Sequence, residues 1–209
     1  MNAESILNAI HAAANTSQVV NLVMHLLVLG AVLSLFSISN VKVKRYVFDG
    51  TLFILAASVA TISIVNGNPF NLITFVIIAI VSIIEVIRGK NWVSRPKMNP
   101  NSIACFVFIL VGFVYPEFVN ANALVLPIVS PLGAIPCATL LVILGMLNLL
   151  VPQVNKTQFI VTTMLGLFYG VTGVFQLKVY LDIALLILVL YSFHNFRFIV
   201  GKKKQPTTA

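Results

Sequence analysis

The sequence predicts an all-α fold, a polytopic transmembrane helical bundle of about seven spans, with the N-terminus outside and the C-terminus inside. Three observations carry this. Hydrophobic residues make up 59% of the chain, charged residues 9%, and the mean hydropathy is +1.04. A soluble domain carries about 25% charged residues, so lipid is the solvent this composition fits. Seven apolar stretches are separated by short polar connections, and the Lys/Arg clusters fall on alternate ones: 42–45, 88–97, Lys156 and 202–204. Cationic connections remain on the cytosolic side of a membrane, which fixes the orientation.

With 209 residues the chain has room for one helical domain. The division reads as an outer interfacial segment over 1–18, a transmembrane domain over 19–198 and a basic cytoplasmic tail over 199–209. The formal net charge of +8 sits in short loops and the tail, so the positive-inside rule explains it without nucleic acid. The partners it implies are the lipid bilayer and anionic headgroups at the inner face, at about 1 kcal/mol per cation near the surface. A homo-oligomer or a membrane-complex partner also fits. The first eighteen residues contain Glu4 and neither Lys nor Arg, so no cleavable signal is expected and the first span serves for insertion.

Residues 4–14 form a short amphipathic helix with Ile6, Leu7 and Ile10 on one face, expected to lie on the outer surface. Asn15-Thr16-Ser17 matches a glycosylation sequon. Span 1 covers 19–38, and Val41 to Arg45 form an inner loop. Span 2 covers 46–65, and the uncharged Asn66-Gly67-Asn68-Pro69 is a turn. Span 3 covers 70–87, followed by the longest polar loop, with Trp92 as an interfacial anchor. Span 4 runs from Ser102 to Tyr115, where Pro116 interrupts it. Residues 116–136, with Pro116, Pro127, Pro131, Gly133 and Pro136, are too apolar for a free loop and too rich in Pro and Gly for a span. Irregular chain at membrane depth must be packed in protein or line a wet cavity, so this is a re-entrant or cap-like outer segment. Span 5 covers 135–152, span 6 covers 157–175 and span 7 covers 178–197. In span 6, Gly166, Gly170 and Gly173 permit close helix approach, most simply within the monomer. A 3+1+3 pseudo-repeat would relate spans 1–3 to spans 5–7. Cys105 and Cys137 fall near opposite ends of their spans, so no disulfide is expected.

Several short motifs resemble an uncharacterised bacterial family of small seven-helix integral membrane proteins that carries only a domain-of-unknown-function label. They are Asn68-Pro69, Tyr115-Pro116, Gly133-Ala134-Ile135-Pro136-Cys137-Ala138 and Asp182-Ile183-Ala184-Leu185-Leu186, spread over roughly 15–195. The chain departs from that pattern in span 2 and at Ala138, where the family has proline. The resemblance implies a fold family and a prokaryotic inner membrane, and no activity. Rhodopsins are excluded, because a retinal protein needs a lysine deep in the last helix and Lys178 sits at its edge. Small sugar uniporters share the 3+1+3 plan, but their prolines are missing from span 1.

Ionisable groups inside a membrane are costly and mark candidate sites. Asp182, about one turn into span 7, is either an i,i+4 partner of Lys178 or a proton or cation site. His25, at an outer-half depth in span 1, is either a neutral hydrogen-bonded side chain or the partner of Asp182 in a proton pair. Glu117 joins them in the outer layer, and His11 is outer too. Glu85 reads as an i,i+3 partner of Arg88 that snorkels to the headgroups. Asp49 reads as an acid close to a helix N-terminus. Asn148, Thr162, Thr163, Tyr169 and Thr172 are interhelical hydrogen-bonding groups, of which Asn148 and Tyr169 could line a polar path.

The chain contains no HExxH, CxxC, GxSxG, P-loop or dinucleotide-binding glycine pattern. No cofactor, no metal and no catalytic residue is therefore expected. Two readings lead for a multi-pass cell-membrane protein. One is a small-solute or ion transporter or channel with an outer-facing site at Asp182, His25, Glu117, Asn148 and Tyr169. The other is a non-catalytic membrane subunit that scaffolds or anchors a partner complex. A membrane enzyme acting on lipid is a lesser third reading, and a hydrolase or nucleotide-driven function has no positive support.

Overall fold

The computed structural model describes residues 3–16, 18–119, 122 and 125–200, and among these there is no strand. The chain forms α1 (Ala3–Thr16), α2 (Gln18–Ser37), α3 (Val41–Val65), α4 (Pro69–Arg88), α5 (Pro100–Phe113), a single turn α6 (Leu126–Val129), α7 (Pro136–Leu149), α8 (Lys156–Val171) and α9 (Ile183–Val200). A π-helical turn, Thr172–Gln176, extends α8, and a 3₁₀ turn, Tyr180–Asp182, leads into α9. Residues 201–209 of the basic tail, Ser17 of the sequon and four residues of the Pro-rich segment lie outside the described residues, while 199–200 end α9.

Helix starts follow local chemistry. Asn40, Asn68, Asn99 and Asn155 each accept backbone N–H bonds at the starts of α3, α4, α5 and α8. A side-chain acceptor there satisfies amides that have no intrahelical partner. Pro69 and Pro100 occupy the first helical position, where no amide donor is needed. Gly67 and Gly89 take positive φ, 61° and 64°, to turn the chain after α3 and α4. The Asn40 cap also corrects the expected inner loop at 41–45. Those residues are the first turn of α3, and Lys44 is buried within it.

Among the described residues, five helical segments are long and apolar enough to cross a membrane: Gln18–Ser37, Val41–Val65, Pro69–Arg88, Lys156–Gln176 and Tyr180–Val200. Exposed apolar side chains such as Leu26, Leu29, Ile73, Ile80, Ile187 and Leu190 cover their outer faces. This is the surface of a membrane-embedded helical bundle, in which lipid replaces water as the solvent. α5 and α7 have 14 residues each. At 1.5 Å per residue each is about 21 Å long, short of the roughly 30 Å hydrocarbon core.

α7 is the centre. All of its residues except Cys137 and Leu149 are buried, as expected for a helix that is apolar on every side. It packs against α3, α5, α8 and α9. Gly112 and Gly145 let α5 and α7 approach closely. A Cβ at Gly112 would lie 2.7 Å from the Ala138 carbonyl oxygen, and one at Gly145 would lie 2.7 Å from Ile109 Cγ1. We expect Gly112→Ala and Gly145→Ala each to cost about 1–3 kcal/mol through overpacking. Gly30→Ala, which meets nothing within 4 Å, should be neutral in the same detergent melting experiment. Gly166 and Gly170 pack against Leu144 and Leu186 of the same chain, so their small-residue face is filled internally.

The bundle has two unlike ends. The basic end carries the starts of α3 and α8, the end of α4 and the loop 89–99. There Trp92 N–H donates to Gln153 O at 3.0 Å, and Arg95 lies over the Phe36 ring. The opposite end is capped. Its Pro-rich segment has Ser130, Pro131, Leu132, Gly133, Ala134, Ile135 and Pro136 buried, while Pro116 and Pro127 are exposed. Both backbone polar groups of the buried Gly133 are satisfied: Gly133 O accepts from Ser58 Oγ at 2.7 Å, and Gly133 N–H donates to Thr139 Oγ1 at 3.0 Å. Gly133 has φ 78°, and any Cβ there would collide with Met24. α1 closes this end as part of the bundle: Ala13 and Ala14 are buried, and Asn15 Nδ2 donates to Phe118 O.

Candidate functional site

The junction between α8 and α9 builds the site. Leu177 N–H bonds to Thr172 O, five residues back, and Val179 N–H reaches Gly173 O. Lys178 then takes φ 58°, and Val179 is extended. Such π-type interruptions are frequent at functional positions. The interruption turns Asp182 inward, where it is 1% exposed. Gly173 makes the room, because a Cβ there would occupy the place of the Asp182 carboxylate.

The carboxylate accepts two hydrogen bonds, from the Tyr115 hydroxyl at 2.6 Å and from the Cys137 thiol at 3.1 Å. Tyr115 is fully buried after α5, and Cys137 lies in the first turn of α7, so Asp182 joins three parts of the bundle at one point. Both donors are neutral. The expected i,i+4 pair with Lys178 does not form, because the helix is broken before Tyr180 and Lys178 is exposed.

Asp182 and Cys137 line a cavity of about 220 Å³ at the capped end. Its other walls include Phe70 and Asn71 of α4, Phe118 of the cap, Phe168 and Tyr169 of α8, and Thr172 of the π-helical turn. Tyr169 donates to Asn71 Oδ1 at 2.8 Å and lies 2.7 Å from Thr74 Oγ1. Asn68-Pro69 starts α4 at the cavity wall. The arrangement can hold a small, mostly apolar molecule with its polar group against one buried acid.

The other predicted residues separate. His25 Nδ1 lies 2.6 Å from Asn21 O and Nε2 lies 2.8 Å from Phe113 O. The ring pins α2 to the end of α5, beside the Phe113 ring, and does not line the cavity. It forms no pair with Asp182. Glu117 is half-buried in the turn after α5, near Asp182 but outside the cavity wall. Asn148 lies toward the basic end, bonded to Ser192 Oγ at 2.8 Å and Asn195 Nδ2 at 2.9 Å, and belongs to no shared site with Asp182. Tyr169 is the one companion of Asp182 on the predicted path that meets it at the cavity. Pro136 lines the cavity too.

A second polar cluster lies at the basic end. Asn91 Nδ2 donates to Asp49 Oδ1 and to Gln158 Oε1, both at 2.8 Å, while its Oδ1 accepts from Asn155 N–H at 2.6 Å. Gln158 Nε2 reaches Ser82 Oγ at 3.2 Å, and Asn155 Nδ2 donates to Glu85 Oε1. Asp49 Oδ2 and Glu85 Oε2 are buried without a hydrogen-bond partner. Two expectations are corrected here. Glu85 turns into the bundle toward the cap of α8 and does not snorkel with Arg88. Asp49 lies two turns inside α3, because that helix starts at Val41 rather than at Tyr46.

Comparison of the chain with protein-family models, curated proteins and solved structures gives no match.

Proposed function

We propose that this chain is a multi-pass transporter that takes up a small solute or ion at the capped end of the bundle. The observation that carries the reading is Asp182, a buried acid with only neutral hydrogen-bond donors, set in a cavity wall by an interrupted helix. Interrupted helices that place polar groups beside a cavity are a recurring transporter device. In this reading α5 and α7 complete seven crossings. α7 is sheathed by other helices and does not itself need the full hydrocarbon length. The positive-inside rule sets the basic end toward the cytosol of a prokaryotic inner membrane, where its cations meet anionic headgroups.

The alternative reading is a non-catalytic scaffold, which the filled core around α7 favours. Leu140 to Leu144 are at most 1% exposed and separate the cavity from the basic-end cluster. Uptake therefore requires that core to rearrange, as alternating access demands.

A flux screen in proteoliposomes decides between the two. Wild-type protein should accumulate a solute that empty liposomes do not. Asp182→Asn should reduce uptake to background. His25→Ala, which lies outside the cavity, should retain flux per folded molecule. Undiminished flux in Asp182→Asn would remove the site assignment, and no flux of any solute would leave the scaffold.

A further inference from the structure

We infer that the cavity at Asp182 takes a small organic cation, of the quaternary ammonium or alkylamine class. This rests on the uptake reading of the same cavity and names its substrate. Three rings cluster on one wall: Phe70 and Phe168 are 4.9 Å apart between centroids, Phe168 and Tyr169 5.6 Å, and Phe70 and Tyr169 5.9 Å. Phe118 adds a fourth ring from the cap. Aromatic faces carry negative quadrupole potential and attract cations, most strongly where water is excluded. Asp182 supplies the formal charge in the same cavity, and its two donors, Tyr115 and Cys137, are neutral.

The same features select against other ligands. An anion would meet a buried carboxylate. A hydrated inorganic cation would have to shed water in a cavity whose oxygen donors are few and largely committed to one another, as in the Tyr169–Asn71 bond. A neutral apolar molecule would leave the acid without a counter-charge in a low-dielectric site. An alkylammonium satisfies both walls at once.

The test is equilibrium binding of benzyltrimethylammonium to the full-length protein in nanodiscs of phosphatidylglycerol, whose headgroup carries no ammonium, against its neutral isostere neopentylbenzene. Saturable binding of the cation, and binding of the isostere weaker on the order of thirtyfold, is the expected result, from the usual effect of removing one partner of a buried charge pair. Asp182→Asn should weaken the cation to the level of the isostere, and Phe168→Leu should weaken it several-fold with the cavity volume nearly kept. Equal affinity for cation and isostere in the wild-type protein overturns the assignment, and that comparison needs no variant to fold. Nanodiscs of phosphatidylcholine separate two sources of the same chemistry. Competition by that lipid assigns the site to a headgroup, and its absence assigns it to a free solute. Cation binding without flux would retain the substrate class and remove the transport reading. Flux of another solute without cation binding would do the reverse.

Discussion

Asp182→Asn should abolish uptake while leaving the bundle at least as stable as wild type. Asparagine keeps the shape of the side chain. Its amide oxygen still accepts from the Tyr115 hydroxyl, and its amide group meets the Cys137 sulfur, a weak acceptor. The charge goes, and with it the desolvation cost of a carboxylate that has no cation beside it. The solute loses its counter-charge, which in a water-excluded pair costs about 2–5 kcal/mol, a factor of thirty or more in affinity. Function and stability thus move in opposite directions, as they do where a site is held at the expense of the fold. Uptake and melting temperature measured on the same preparation check this. An Asp182→Asn protein that melts far below wild type would make the acid a structural strut. Tyr115→Phe serves as the comparison, because it leaves Asp182 Oδ1 without its donor and should lower both quantities.

Asn91→Ala should be the most damaging single substitution at the other end. One side chain there satisfies Asp49 Oδ1, Gln158 Oε1 and the Asn155 N–H, and it is 2% exposed. Truncation orphans three buried groups together. At about 1–3 kcal/mol for an unsatisfied group, with partial relaxation, a loss of roughly 2–4 kcal/mol follows. Asn155 also caps α8 and holds Glu85, so the damage reaches the end of α4. Thermal unfolding in detergent should show the drop, with Asn101→Ala at an exposed site of the same end as the reference. Near-identical melting of the two would show that the network carries no stability.

Much of the architecture is legible in the chain. The apolar runs, the Asn-Pro start of α4 and the Pro-rich cap all follow from local rules of solvation and capping. The rest depends on contacts that spacing cannot carry. Lys178 and Asp182 have helical spacing, yet the backbone between them leaves the helix, so the neighbour in sequence is not the neighbour in space. Asp182 finds its partner Tyr115 67 residues away. Glu85 has helical spacing to Arg88, yet its hydrogen-bond partner is Asn155, 70 residues on. Gly173 reads as one of several small residues; that it makes space for a carboxylate appears only when α9 is in place. Asn71, Tyr115 and Cys137 carry no signal by type, because single polar groups in apolar helices are ordinary interhelical glue. The short Tyr115-Pro116, Gly133 to Ala138 and Asp182 to Leu186 motifs contain Tyr115, Cys137 and Asp182, which the fold brings into one hydrogen-bonded group.

Uptake at Asp182 requires a solvent-reachable cavity at the capped end standing over a dry core. Labelling of Thr172→Cys, in a Cys105→Ser, Cys137→Ser background, by a membrane-impermeant maleimide in oriented vesicles tests this directly. Thr172 lines the cavity, and Val142, at 0% exposure, lies in the core. The predicted result is labelling of the Thr172→Cys thiol from one side of the membrane, slowed by benzyltrimethylammonium, with the Val142→Cys thiol unreactive from either side. A Thr172→Cys thiol no more reactive than the one in the core would contradict it.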